Sequence, residues 1–318
     1  MEKKLDISIV IPVFNEEGNL SELYSSIISV MLEYGYEYEI IFVDDGSSDS
    51  SFYILQDIAA INSKVKLISF RRNFGQTAAL SAGIKYAHKD IVVCIDADLQ
   101  NDPADIPKLI DKINEGYDLV SGWRKNRQDS FSKRIPSLIA NKLISKSIGI
   151  EIHDNGCSLK AYRKEILDEM NIHGEMHRYM PIIAHSVGAK IAEVEVLHHP
   201  RKSGKSKYGI GRTPKVIIDL LTIKLLGLYG MKPNYIYGGV SIIFGCCGIL
   251  SLLEVILTKL ICNTDMTGNP FLLLTVLFVL LSIITFLMGL QADVLAKIYL
   301  ENNNNKQYSI KYKKNIDE

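Results

Sequence analysis

Two acidic clusters offer the first chemistry in this chain: Asp44, Asp45 and Asp49 in VDDGSSD, and Asp96 and Asp98 in DADLQ. Each follows a short apolar run, IIFV or VVCI, so each is expected at the carboxyl end of a buried parallel strand, where open α/β sheets bind ligands. Asp96 and Asp98 stand two residues apart, and in an extended turn both carboxylates can face one ligand. Two like charges ~4 Å apart repel by about 1 kcal/mol in water and about 4 kcal/mol near a protein surface, and a bound cation relieves that repulsion. Oxygen ligands select Mg²⁺ or Mn²⁺, which completes its shell with water and substrate phosphates. An isolated pair of this kind is equally a solvated acidic turn. Gly46, Ser47 and Ser48 suit a tight turn with exposed amides, beside which Asp44 or Asp45 can accept hydrogen bonds from a base or ribose. A plain turn with Ser48 or Asp49 capping a helix is the simpler use of the same residues.

Basic residues form two further groups. Arg124, Arg127, Lys133 and Arg134 cluster within a short span, with Ser137 one helical turn beyond Lys133, and together they can cradle an anion. Without context a solvated basic face explains the same charges. Arg201, Lys202, Lys205 and Lys207 lie in a loop containing Gly and Ser, suited to a mobile cover for phosphates or to anionic lipid headgroups.

The elements that must position these residues alternate. Apolar runs at 7–13, 39–43, 66–70 and 91–95 read as strands, and amphipathic stretches opened by Asn19, at 51–61 and at 76–87 read as helices between them. This alternation predicts an α/β fold with a mostly parallel, doubly wound sheet. A helix from Pro103 to Glu115 and a strand at 118–121 continue it. Beyond residue 122 the alternation stops: helices are expected at 135–148, 164–170 and 179–187, with strands at 159–162 and 190–197. Residues 214–228 mix apolar side chains with Lys215, Asp219 and Lys224, the pattern of a helix lying in a membrane interface.

Ile236 to Leu257 and Phe271 to Leu290 are each close to the ~20 residues that cross a hydrocarbon core. The second is uncharged, and its 15 Leu, Ile, Val and Phe residues favour insertion by at most about 5 to 9 kcal/mol. Glu254 falls near the distal end of the first span, as an interfacial carboxylate. Lys215, Lys224 and Lys232 precede the pair and Lys297, Lys306, Lys311, Lys313 and Lys314 follow it, while the connecting loop holds Lys259 against Asp265. Both ends are therefore expected on the cytoplasmic side of an inner membrane.

Bulk properties exclude more than they assign. The 36 basic residues balance 36 acidic ones across 318 residues, leaving no overall field for nucleic acid. Five cysteines without metal-ligand spacing fit reduced thiols, His198 and His199 have no cysteine partners for zinc, and no targeting segment is expected in MEKKLDISIVIPVF. No GxGxxG follows the first strand and no GK[ST] occurs, which disfavours dehydrogenases and P-loop enzymes.

IVIPVFNEEGNL, IFVDDGSSDSS, FRRNFGQTAALSAGI, VVCIDADLQNDP, GWRKNR with SKR, and GEMHRYMP together resemble the family 2 glycosyltransferases that make polyprenyl-phosphate sugars, such as dolichol-phosphate mannose synthases and bacterial undecaprenyl-phosphate glucosyl and aminoarabinosyl transferases. The likeness runs over roughly residues 5 to 230, and two-span tails are common in the bacterial branch. It implies a GT-A nucleotide-sugar transferase fold. It would place Pro12, Asn15, Glu16, Asp44, Asp45, Asn73, Gly75, Asp96, Ala97 and Asp98 around the nucleotide sugar, Asp96, Asp98 and Gln100 around Mg²⁺ or Mn²⁺, and His177, Arg178 and Tyr179 near the sugar. Arg124, Arg127, Lys133, Arg134 and Ser137 would take the acceptor phosphate, Arg201, Lys205 and Lys207 would form the mobile loop, and Asp98, Asp96 and Arg124 would carry catalysis. Asn101, Asp102, Pro103, Ala104 and Asp105 depart from the DPPE that usually follows DADLQ, and Trp123 does not sit in the QxxRW element of processive synthases.

The resulting domain map has a catalytic domain at 1–212, a juxtamembrane helix at 213–232, a hairpin at 233–292 and a basic cytoplasmic tail at 293–318. The expected reaction is inverting transfer from a UDP-sugar, for example UDP-glucose, to a polyprenyl phosphate. GDP-mannose as donor, a non-lipid acceptor, and a membrane scaffold that only binds nucleotide are the alternatives. The hairpin could also join copies of the chain as a homo-oligomer, for which the sequence offers no support.

Overall fold

The computed structural model describes residues 6–125, 152–170, 180–200, 234–262, 269–301 and 308–316. Two compact units emerge, one of residues 1–219 with 306–318 and one of residues 220–305.

The first unit alternates as its apolar periodicity predicts. Strand β1 (Asp6–Val13) leads to α1 (Leu20–Glu33), β2 (Glu37–Asp44), α2 (Ser51–Ile61), β3 (Val65–Phe70), α3 (Gln76–Lys85) and β4 (Ile91–Cys94). A short 3₁₀ turn at Pro103–Asp105 opens α4 (Ile106–Asn114), whose Ile106, Leu109, Ile110 and Ile113 are buried. Then come β5 (Leu119–Trp123), β6 (Lys160–Arg163), α5 (Lys164–Glu169), α6 (Met180–Ser186) and β7 (Ile191–Glu195). With β8 (Ile310–Lys314) they form one eight-stranded sheet in the order β7-β5-β6-β4-β1-β2-β3-β8.

The central strands β4, β1, β2 and β3 pair in parallel, so their carboxyl ends share one edge. Such strands are buried on both faces and need continuous apolar runs, which Ile7 to Ile11 and Ile40 to Val43 supply around a lone hydroxyl, Ser8. Ser8 and the Lys66 ammonium satisfy buried Glu39 at 2.6 and 2.7 Å. Of the flanking pairings, β6 against β4 and β5 and β8 against β3 are antiparallel, and β7 against β5 is parallel. The amino ends of β6 and β8 and the carboxyl end of β5 therefore meet the same edge as the acidic clusters.

Within the segment expected as a basic tail, 293–318, two parts have regular structure. The second long helix runs on to Glu301, and Ile310–Lys314 enters the sheet, taking Lys311, Lys313 and Lys314 with it. Five residues with exposed lysines give too short and too polar a run to read as a strand, and only the β3 edge supplies its partners. The expected helices at 135–148 and 214–228 lie outside the described residues.

In the second unit, α7 (Asn234–Cys262) packs along α8 (Pro270–Glu301). Segments Tyr237–Ile261 and Pro270–Leu295, of 25 and 26 residues, are long and apolar enough to cross a bilayer. Ser241 and Ser282 exchange hydrogen bonds with each other's carbonyls at 2.8 and 2.9 Å, and Thr275 donates to Ser251 at 2.9 Å. These bonds tie the two helices from inside while Leu273, Leu280 and Ile283 face outward.

Candidate active site

The first acidic cluster is built into its surroundings. Asp44 Oδ1 accepts from the Ser47 amide at 3.0 Å and Oδ2 from the Ser69 hydroxyl at 2.7 Å. Asp45 accepts the amides of Phe74 and Gly75, one on each oxygen, at 2.7 and 2.9 Å. Burial, set against those two bonds, raises the Asp45 carboxyl above its ordinary range, with Asp44 adding to it. Gly46 makes the turn feasible: its φ is +69°, and a Cβ there would lie 2.5 Å from the Arg72 carbonyl carbon.

Asn15 and Glu16 belong to the same assembly. Asn15, at φ 54°, donates its amide to Ser47 Oγ at 3.0 Å and accepts from the Ser48 amide at 2.8 Å. Glu16 donates its amide to Ser51 and receives Asn19 Nδ2 on its carboxylate at 2.7 Å. Thus Pro12, Asn15, Glu16, Asp44 and Asp45 converge at the ends of β1 and β2, Gly75 joins them through Asp45, and the Asn73 backbone lies against Gly46.

The second cluster follows β4. Asp96 is half-buried, whereas Ala97 and Asp98 are buried at 3% and 7% exposure. Leu99 adopts φ 57°, an uncommon conformation for a leucine, and Asp98 accepts the Gln100 amide at 3.2 Å. Gln76, the first residue of α3, donates to Asp96 at 2.7 Å, so the Arg71–Gly75 loop spans the space between the clusters. Burial first, and Asp98 second, push the Asp96 carboxyl up to about 6, against the pull of Ser158, Lys160 and Arg124.

This pairing fits a divalent cation, whose charge would favour both ionised carboxylates. Among the described residues no group of three His, Cys, Asp or Glu side chains could hold a metal, so further oxygens would come from water and a ligand's phosphates. Gln100 follows directly, and its carbonyl accepts the His199 amide at 2.8 Å.

Sequence reasoning overlooked several neighbours. Arg124 grips Asp154 through two bonds of 2.7 and 3.0 Å, and both side chains are largely buried. Lys160, 3% exposed, donates to the carbonyls of Asn155 and Cys157, and burial lowers its pKa. Ser158 receives Asn101 Nδ2 at 2.7 Å and bonds Asp96. Asp105, which the DPPE comparison passed over, accepts the Leu197 amide at 2.7 Å and holds the segment after β7 against the acidic turn. Asn155-Gly156 marks a turn in sequence, but nothing local ties Asp154 to an arginine 30 positions earlier.

Of the expected acceptor residues only Arg124 is described. Arg127, Lys133, Arg134, Ser137, Arg201, Lys205 and Lys207 lie outside the described residues, as do His177, Arg178 and Tyr179.

With this geometry in hand, comparison decides the family. The pattern described as Glycosyl transferase family 2 matches residues 8–170. The chain belongs to glycosyl transferase family 2. It is 37% identical to a dodecaprenyl-phosphate galacturonate synthase of Rhizobium johnstonii, over 97% of this chain and 93% of the relative. It is 38% identical to an undecaprenyl-phosphate 4-deoxy-4-formamido-L-arabinose transferase of Pseudomonas fluorescens, over 92% and 85%. Among solved structures, glucosyl-3-phosphoglycerate synthase of Mycobacterium tuberculosis, in complex with Mn²⁺, UDP and glucosyl-3-phosphoglycerate, superposes with a TM-score of 0.54 at 22% identity, covering 69% of this chain and 80% of that one. This is the same fold, a GT-A glycosyltransferase sheet.

Proposed function

We propose that this glycosyltransferase moves a sugar from a nucleoside diphosphate, UDP by preference, to the phosphate of a polyprenyl lipid, producing a lipid-linked sugar for cell-envelope glycans. The observation that carries the reading is the Asp96–Asp98 pair at the carboxyl edge, in a chain aligned over nearly its whole length with enzymes named for polyprenyl-phosphate products. Those relatives differ in their sugar, galacturonate or formamido-arabinose, and agree on a polyprenyl-phosphate product.

In this reading Asp96, Asp98 and Gln100 hold Mg²⁺ or Mn²⁺, and Pro12, Asn15, Glu16, Asp44, Asp45, Asn73, Gly75 and Ala97 surround the donor. The ion, when bound, neutralises charge on the departing diphosphate. Arg124, Arg127, Lys133, Arg134 and Ser137 orient the acceptor, and Arg201, Lys205 and Lys207 cover the donor phosphates. A phosphate monoester has a second pKa near 6, so at pH 7 the acceptor is largely dianionic and attacks without a protein base. Its oxygen forms the new bond to the anomeric carbon as the bond from that carbon to the diphosphate oxygen breaks, inverting the centre.

The two long helices are proposed to span the inner membrane, with residues 213–232 at its surface. Strand β8 supports an even number of crossings, since the chain before α7 and the chain after α8 join one sheet.

Membranes containing the protein, incubated with Mg²⁺, undecaprenyl phosphate and labelled UDP-glucose, UDP-galacturonate, a UDP-linked 4-formamido-arabinose or GDP-mannose, test the reading. Label from one of the donors should enter the organic-extractable fraction. Label confined to water-soluble, phosphate-free acceptors, or to none, would contradict it.

A further inference from the structure

The loop between the acidic clusters is braced from an unexpected direction. Tyr308 lies flat on Phe70, the last residue of β3, with ring centroids 4.9 Å apart and an interplanar angle of 14°. Phe70 in turn meets Phe74 edge to face at 5.7 Å, and the Arg72 guanidinium covers Phe74 at 4.2 Å. The Arg71 amide donates to the Ser309 carbonyl at 3.0 Å, where the β3–β8 register shifts between Ser69 and Phe70. At the other end of the strand Asn315 donates to the carbonyls of Ala59 and Val65 at 2.7 and 2.8 Å, and Tyr312 packs edge-on against Phe52.

These contacts exceed what covering an edge strand needs, because they extend past the ladder onto the loop itself. The last two amides of that loop, Phe74 and Gly75, are the ones Asp45 holds, and the following side chain, Gln76, holds Asp96. One aromatic stack therefore ends on the segment that both acidic clusters share.

We propose that Tyr308 is a positioning residue for the Arg71–Gly75 loop, and that residues 308–316 clasp this loop in its donor-binding conformation. The inference rests on the donor reading above. It gives the chain beyond the long helices a part in nucleotide binding, although none of its side chains need touch the nucleotide.

The test uses the full chain in lipid nanodiscs, as wild type, Tyr308→Ala and Tyr308→Phe. UDP binding in the presence of Mn²⁺ is measured by calorimetry, alongside amide hydrogen exchange at Phe74 and Gly75. Losing the stack should weaken UDP binding by about three- to tenfold, the range expected for one aromatic pair. Exchange at Phe74 and Gly75 should quicken, the apparent KM for undecaprenyl phosphate should hold, and Tyr308→Phe should restore both affinity and protection. Should Tyr308→Ala fail to fold, Tyr308→Leu keeps apolar bulk without the ring and should move both readouts the same way. Unchanged UDP affinity and exchange in the folded variant would overturn the clasp, as would failure of phenylalanine to restore them, which would leave β8 a simple cover. If wild type itself binds no UDP, the donor reading falls separately, and the exchange rates alone then decide whether the loop is braced.

Discussion

Asp44–Asp45 and Asp96–Asp98 stand at or just past the carboxyl ends of parallel strands and differ in how their oxygens are held. In the first pair all four oxygens meet donors, three of them amides of neighbouring turns and one the Ser69 hydroxyl of β3, so the carboxylates tie those turns to the sheet. In the second pair one carboxylate presses on another, and the nearby cation Lys160 is committed to backbone carbonyls. Asp45 is raised by burial, with Asp44 adding to it, but spends both oxygens on two loop amides, whereas Asp96, raised to about 6 by burial and then by Asp98, fits an external positive charge.

The sharpest way to break this contrast is Asp98→Asn, which should lower sugar transfer at least about a hundredfold while leaving metal-free UDP binding intact. Equal transfer by the variant would remove the distinction between the pairs. Asp45→Ala should instead act on the fold. It strands the Phe74 and Gly75 amides and should cost about 1.5 to 3 kcal/mol, read from denaturant unfolding of the sheet domain.

A pH series separates the pairs further. Between pH 3.8 and about 6 the folded, metal-free protein keeps the Asp96 proton that the unfolded chain has released. Stability in EDTA should therefore fall as pH rises through that window and level off above it. Asp96→Asn should flatten this part of the melting-temperature profile, and an undiminished slope would place the titration elsewhere. Gln76→Ala should have the smallest effect. Removing one hydrogen bond to Asp96 should change the Mn²⁺ concentration for half-maximal activity by about two- to tenfold.

How much of this was legible follows from the range of each interaction. The parallel core could be read because every strand carries its own apolar run and every helix its own periodicity. Asp44, Asp45, Asp96 and Asp98 could be read because strand-end position is local. The Arg124–Asp154 pair and β8 could not, since each depends on a partner far along the chain and has no periodic signal, and the short strand read at 159–162 does not show that its lysine, Lys160, is buried. Lys311 and Lys313 look like tail charges in sequence, yet they are exposed side chains of an edge strand whose Tyr312 packs against Phe52 and which Tyr308, two residues before it, anchors on Phe70.

In the proposed reaction Asp96 and Asp98 hold a divalent ion together with the donor diphosphate. Calorimetric titration of MnCl₂ into the UDP-saturated protein addresses it most directly. Wild type should take up one ion and Asp98→Asn should show no saturable uptake; the same single-site isotherm from both proteins would contradict the account.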